Sequence, residues 1–210
     1  MIRPGLLSAD EVIEVLGLER LPHEGGWFRE TYRSATAIPQ EALPPYYPRA
    51  ARPGRSHSTQ IYYMVRPGET SALHRVLSDE VFHHYLGDPV VQLQIREEDR
   101  PEAGVFAIGP DLPAGQRPQM VVPAGVWQGL CLASDARPAG RDEGASDEIG
   151  ADGAGDAWGF ALLGCTVAPG FDWADFELIT PDHAGTLAAR WPEHRPLIDL
   201  LTPAPGRTRA

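Results

Sequence analysis

The chain reads as an all-β domain, a sandwich or a barrel, on two observations. Short runs of β-branched and aromatic residues recur along it: Thr59–Val65, Val90–Ile95, Val105–Ile108, Gln119–Val122 and Trp158–Val167. Gly and Pro turns punctuate them, as at Arg66-Pro67-Gly68-Glu69, Gly87-Asp88-Pro89 and Gly109–Gly115. Such a rhythm of short strands suits two packed sheets or one closed sheet. With 210 residues, the chain is one domain with a substantial core.

From the start, Ser8-Ala-Asp-Glu11 is a capping box that opens a short helix, and Gly17 closes it. Gly25-Gly26 allows an unusual turn. Trp27–Arg33 (WFRETYR) alternates as a strand, which puts Arg29 and Arg33 on one parity. Two guanidinium groups on one face would make an anion-recognising wall; the alternative is a solvated face. Ala37–Ser56 holds five prolines and reads as a surface loop. In Thr59–Val65 either Tyr62 or Tyr63 lines a pocket, since one residue of slip exchanges them. Ser134–Ala157 is rich in Gly, Ala and Asp with little to bury, and reads as a mobile hairpin insertion. Phe171–Ile179 alternates aromatics with carboxylates, suggesting an acidic edge strand or a dimer rim. The tail His183–Leu201 carries two short helical patterns split by Pro192.

Composition narrows the function classes. Lys and Arg total 18 against 29 Asp and Glu, a net charge of −11. An acidic surface repels nucleic acid and anionic membrane, so neither is an expected partner. Cys131 and Cys165 sit in apolar runs, as small buried hydrophobes would. No apolar run is long enough for a membrane helix, and no secretory leader is evident, so the cytoplasm is the expected compartment.

The chemistry concentrates in Ser71–Gly87, SALHRVLSDEVFHHYLG. His74 and Glu80 fall near a strand–turn–strand, where they could hold a divalent metal or exchange protons. Strand alternation predicts that Glu80, Phe82 and His84 share one inward face. His74 and Glu80 are the catalytic candidates. Arg29, Arg33, Tyr63, Phe82, His84 and Gln128 are the ligand-binding candidates.

The framework around these residues, G-x5-H-x-V-x3-E-x6-G from Gly68 to Gly87, resembles the first motif of the cupin superfamily. His74 and Glu80 stand in two ligand places, and Val76 stands where a second His belongs. Pro123 and Gly125 resemble the second motif, with Gln128 in its His place, Arg117 for its first Gly and Leu132 for its Asn. The blocks His23–Ser34, Ser58–Met64, His74–Gly87, Val121–Gln128 and Leu163–Glu177 are similar, in order, to one small cupin branch of unknown function. That resemblance implies a double-stranded β-helix, the jelly roll, with short flanking helices, and a homodimer. It implies a pocket for a small polar metabolite, sugar-like or nucleotide-like. Some relatives are metal-free epimerases or isomerases with a histidine base; others are metal enzymes. With two of the usual ligands replaced, no cofactor is expected. The alternatives left open are a non-catalytic metabolite sensor, or a metal enzyme using His74, Glu80 and Gln128.

Overall fold

The computed structural model describes residues 7–48, 54–136 and 158–203. The strands are β1 (Glu19–Arg20), β2 (Trp27–Arg33), β3 (Ala37–Ile38), β4 (Arg55–Ser56), β5 (Thr59–Val65), β6 (Thr70–Arg75) and β7 (Asp79–Gly87). They continue as β8 (Val90–Arg96), β9 (Glu102–Ile108), β10 (Gln119–Val122), β11 (Trp127–Leu132), β12 (Ala161–Ala168) and β13 (Glu177–Leu178). The helices are α1 (Ala9–Leu16), α2 (Pro181–Arg190) and α3 (Arg195–Leu201). Two antiparallel sheets result, in the orders β1-β2-β5-β12-β7-β10 and β13-β6-β11-β8-β9. They face one another as a jelly roll, the all-β fold expected from the strand rhythm.

The interior between the sheets is filled by Tyr63, Val65, Phe82, Leu130, Leu132, Leu163 and their neighbours. The outer faces are covered in part by helices. Helix α1 opens with the capping box of Ser8 and Glu11, and Gly17 ends it in the left-handed region at φ 61°. Its Val12 packs with Leu18, Met64, Phe160 and Leu162 outside the larger sheet. The tail helices lay Leu187, Ile198 and Leu201 on Leu73, Leu93, Ile95 and Trp127 outside the smaller sheet. Each fully buried aliphatic side chain there contributes roughly 2 kcal/mol.

Three β-bulges decide which side chains enter the interior. In β2 the register against β5 shifts between Glu30 and Tyr32. In β6 it shifts against β11 between Ser71 and His74. In β7 it shifts against β12 between His84 and Leu86. Each extra residue reverses the in–out alternation beyond it.

Four expectations change here. The bulge in β2 puts Arg29 and Arg33 on opposite faces. The Pro-rich stretch contains a small ladder, β3 with β4. Phe171–Ile179 is a 3-10 turn at Trp173–Asp175 followed by β13, because Asp172 caps the turn through the Ala174 N–H. The insertion connects β11 of one sheet to β12 of the other, so it is a crossover rather than a hairpin. From residue 137 to 157 it lies outside the described residues. The residues that flank it are both tied to the turn after β7. Ala133 N–H donates to Pro89 O at 3.0 Å, and Trp158 N–H to the Asp88 carboxylate at 2.8 Å. No described helix is long and apolar enough to cross a membrane.

Candidate functional site

A cavity of about 510 Å³ opens between the two sheets. Its floor is polar. His74 and Glu80, 3% and 7% exposed, lie there beside Cys165 and the half-buried Glu24. Its walls are apolar: Phe28, Ile61, Val76, Val167, Phe171 and Phe176. Glu30, Arg33, Asp172 and Trp173 stand at the rim.

The two sheets meet chemically at this floor. His74 on β6 pairs with Gln128 on β11 in one sheet. Glu80 on β7 and Cys165 on β12 come from the other. The Gln128 amide N–H donates to Glu80 Oε2 across the interior, and the Cys165 thiol donates to Glu80 Oε1. Gln128 Oε1 accepts from Gln92 Nε2 at 3.4 Å, which fixes the amide's orientation. His74 Nδ1 lies 2.8 Å from Ala72 O, so this nitrogen carries the proton and Nε2 is the lone-pair side. Nε2 faces Gln128 Nε2 at 3.4 Å. The imidazole stacks on Phe176, with ring centroids 5.1 Å apart.

Glu24 was not among the sequence candidates. Ser71 Oγ donates to its Oε1 at 2.6 Å. The β6 bulge makes this possible by turning Ser71 to the same side as His74. Burial raises the Glu24 carboxyl above its usual range; the His74 ring and the Ser71 hydrogen bond pull it down, and the Glu80 charge pushes it further up. Burial, then the Glu80 charge, pushes the Cys165 thiol well above its usual value, so it stays a thiol.

The remaining candidates divide. Arg33 lines the cavity and is bound by Glu30, with Nε to Oε1 at 3.0 Å and Nη2 to Oε2 at 2.7 Å. The β2 bulge brings that pair onto one face. Arg29 points the other way, and its Nη1 donates to Leu16 O at 2.7 Å at the end of α1. Tyr63, not Tyr62, faces inward, fully buried with its hydroxyl donating to Gly25 O at 3.1 Å. Tyr63, Phe82 and Gln128 support the cavity from behind and do not line it. His84 is also off the cavity: its Nε2 lies 3.2 Å from Asp88 O, at the turn. Burial lowers the His84 pKa, against the pull of the Asp88 and Gly87 carbonyls.

The alternation in Phe171–Ile179 predicts a strand, and nothing in the sequence around it marks what anchors the aromatic wall. Asp175 is buried and takes a bidentate ion pair from buried Arg55 on β4, with Nη2 to Oδ1 at 2.9 Å and Nη1 to Oδ2. This pair ties the Phe171–Phe176 arch to the small β3–β4 ladder.

The side chains present do not fit a transition metal. Val76 offers an alkyl group where a ligand would stand. Gln128 presents N–H donors, not a lone pair, to both His74 and Glu80. Among the described residues, no three His, Cys, Asp or Glu side chains cluster so as to hold an ion.

Known structures share this architecture. A crystal structure of protein SO0799 from Shewanella oneidensis matches at 31% identity and a TM-score of 0.68, covering 94% of this chain and 99% of that one. A hypothetical protein from Leishmania major matches at 28% identity and a TM-score of 0.70, over 94% and 100%. No curated protein matches the chain. The family model described as cupin superfamily, DUF985, matches residues 10–179, and the chain belongs to that family.

Proposed function

We propose that this protein binds a small polar metabolite between its sheets and moves a proton on it without a metal, as an epimerase or isomerase does. One observation carries the reading. A histidine with a fixed tautomer sits at the floor of an aromatic-walled cavity, beside one carboxyl group from a strand, Glu80, and one from a loop, Glu24. Aromatic faces suit a sugar ring or a base, and carboxylates accept its hydroxyls. Arg33 at the rim suits an anionic substituent, once it exchanges Glu30 for the ligand. His74 Nε2 is the base in this reading.

A second reading has its own support. Both Glu80 oxygens and His74 Nε2 already have partners in Gln128 and Cys165. A floor so satisfied suits a sensor that binds without turnover.

Metabolites carried through purification, identified by mass spectrometry, supply the ligand for the test. The catalytic reading expects turnover that falls about 100-fold or more in His74→Ala. Thermal stabilisation by the ligand with no product is the sensor's result. Elemental analysis completes the test: near one equivalent of zinc, iron, nickel or manganese, lost in His74→Ala, would return the metal-enzyme alternative with His74, Glu80 and Gln128 as ligands.

A further inference from the structure

Glu24 stands within an unusually constrained turn. His23 has φ 67°, rare for a residue with a Cβ, and Gly25 and Gly26 follow at 100° and 72°. Neither glycine has room for a side chain. A Cβ at Gly25 would lie 2.5 Å from Thr70 O, and one at Gly26 would lie 2.6 Å from the Tyr63 hydroxyl. Four hydrogen bonds lock the turn: Leu21 N–H to Gly26 O, Gly25 N–H to Leu21 O, Ala72 N–H to Glu24 O, and the Tyr63 hydroxyl to Gly25 O. Backbone strain held so firmly marks a place where position matters more than stability.

What the turn positions is one carboxyl group, and that group lines the cavity with His74 and Glu80. The polar and titratable groups facing it are His74 and Ser71 from β6, Glu80 from β7, Tyr63 from β5 and Cys165 from β12. Glu80 has both oxygens occupied by fixed donors, Gln128 and Cys165. Glu24 has one oxygen bound to the Ser71 hydroxyl. It enters from the loop before β2, whereas His74 is on a strand of the smaller sheet.

We infer that Glu24 is the second proton-transfer residue of this site, paired with His74, and that the substrate class is a polyhydroxy carbonyl compound. This rests on the proton-transfer reading above and deepens it. His74 Nε2 takes the proton from the carbon next to the carbonyl, and the C–H electron pair forms an enediolate. The Glu24 carboxyl returns a proton to that carbon from its own side, while the enolate oxygen re-forms the carbonyl. The carbon is inverted. His74 is left as imidazolium and Glu24 as carboxylate, and solvent at the mouth resets both. Burial, which favours the protonated acid over the carboxylate, suits Glu24 to the donor's part.

The test follows fructose and allulose, each with and without a terminal phosphate, by proton NMR in deuterium oxide. The wild type is expected to exchange the carbon-bound proton and interconvert the epimers. Glu24→Gln keeps the shape and the Ser71 hydrogen bond but has no proton to give. It is expected to lose inversion about 100-fold or more while His74-dependent exchange with retention survives. His74→Gln loses exchange in the opposite direction. Should Glu24→Gln fail to fold, Ser71→Ala loosens the carboxyl and leaves the turn in place, and inversion is expected to fall relative to exchange. Wild-type exchange with inversion undiminished in these variants overturns the Glu24 assignment alone. A wild type inert on all four ketoses overturns the proton-transfer reading and the Glu24 assignment with it.

Discussion

Glu24 pits position against solvation. Burial raises its carboxyl above the usual value of 4.5, against the pull of His74 and Ser71. A raised folded-state pKa means that the folded protein holds this proton more firmly than the unfolded chain does. The stabilisation is present below the unfolded value and is lost as pH rises through the folded one. At neutral pH the unfolded chain ionises this carboxyl freely while the fold opposes its ionisation, and that difference is a cost to the folded state. Glu24→Gln removes that cost, so it is expected to unfold at higher urea than the wild type at neutral pH. The difference should shrink as pH falls below 4.5. A variant less stable than wild type at neutral pH would show that the charge is stabilising instead. The sequence carried a weak sign of this residue, an acid directly before Gly25-Gly26. His74, Glu80 and Gln128 were easier to find, because their spacing in a motif survives without any knowledge of side-chain direction.

Direction is what the elements hid. Alternation placed Arg29 beside Arg33, yet one extra residue in β2 sends Arg29 to α1 and puts Arg33 with Glu30. Strand runs are legible from residue type, whereas bulges leave no comparable signature, because they are set by what packs across the sheet. The Phe171–Phe176 arch was obscure for a related reason. Its local pattern alternates, but its conformation depends on Arg55, 120 residues away, pairing with Asp175. Both partners are almost wholly buried. Removing one strands the other charge, so Arg55→Met or Asp175→Leu alone is expected to cost about 3–5 kcal/mol. The double variant, which leaves no buried charge, is expected to recover most of that loss. Urea unfolding of the four proteins measures the coupling. Additive losses would mean that the pair does not hold the arch as a unit.

At the scale of the molecule, part of one face is left without a covering helix among the described residues. Across the outer side of the larger sheet, Tyr32, Gln60, Thr166, Val81 and Val121 stand in register. The next row runs Tyr62, Gly164, His83 and Gln119, with Tyr85 packed over Gly164. Tyr32, Tyr85 and Val121 are 51%, 53% and 52% exposed. The first row holds no Asp, Glu, Lys or Arg, and the second adds Arg29, in register with Tyr62 and turned to the end of α1, in a chain of net charge −11. The acidic remainder of the surface opposes contact between copies, so the uncharged strip through Tyr32 and Val121 is where two of them would meet. We propose that the expected homodimer meets through this face, and not through Trp27 and Phe28 at the start of β2. Trp27 is already engaged within the chain, its indole N–H toward Glu69 and its ring between Arg20 and Arg66. Phe28 turns into the cavity. Sedimentation equilibrium at micromolar concentration is expected to give a dimer for the wild type. In a symmetric contact each copy would carry any charge added to this face, so Val121→Glu brings two new carboxylates into one interface. That variant is expected to sediment as a monomer with its melting temperature for the isolated fold retained. A wild-type monomer, or a Val121→Glu dimer of unchanged affinity, removes this face as the contact.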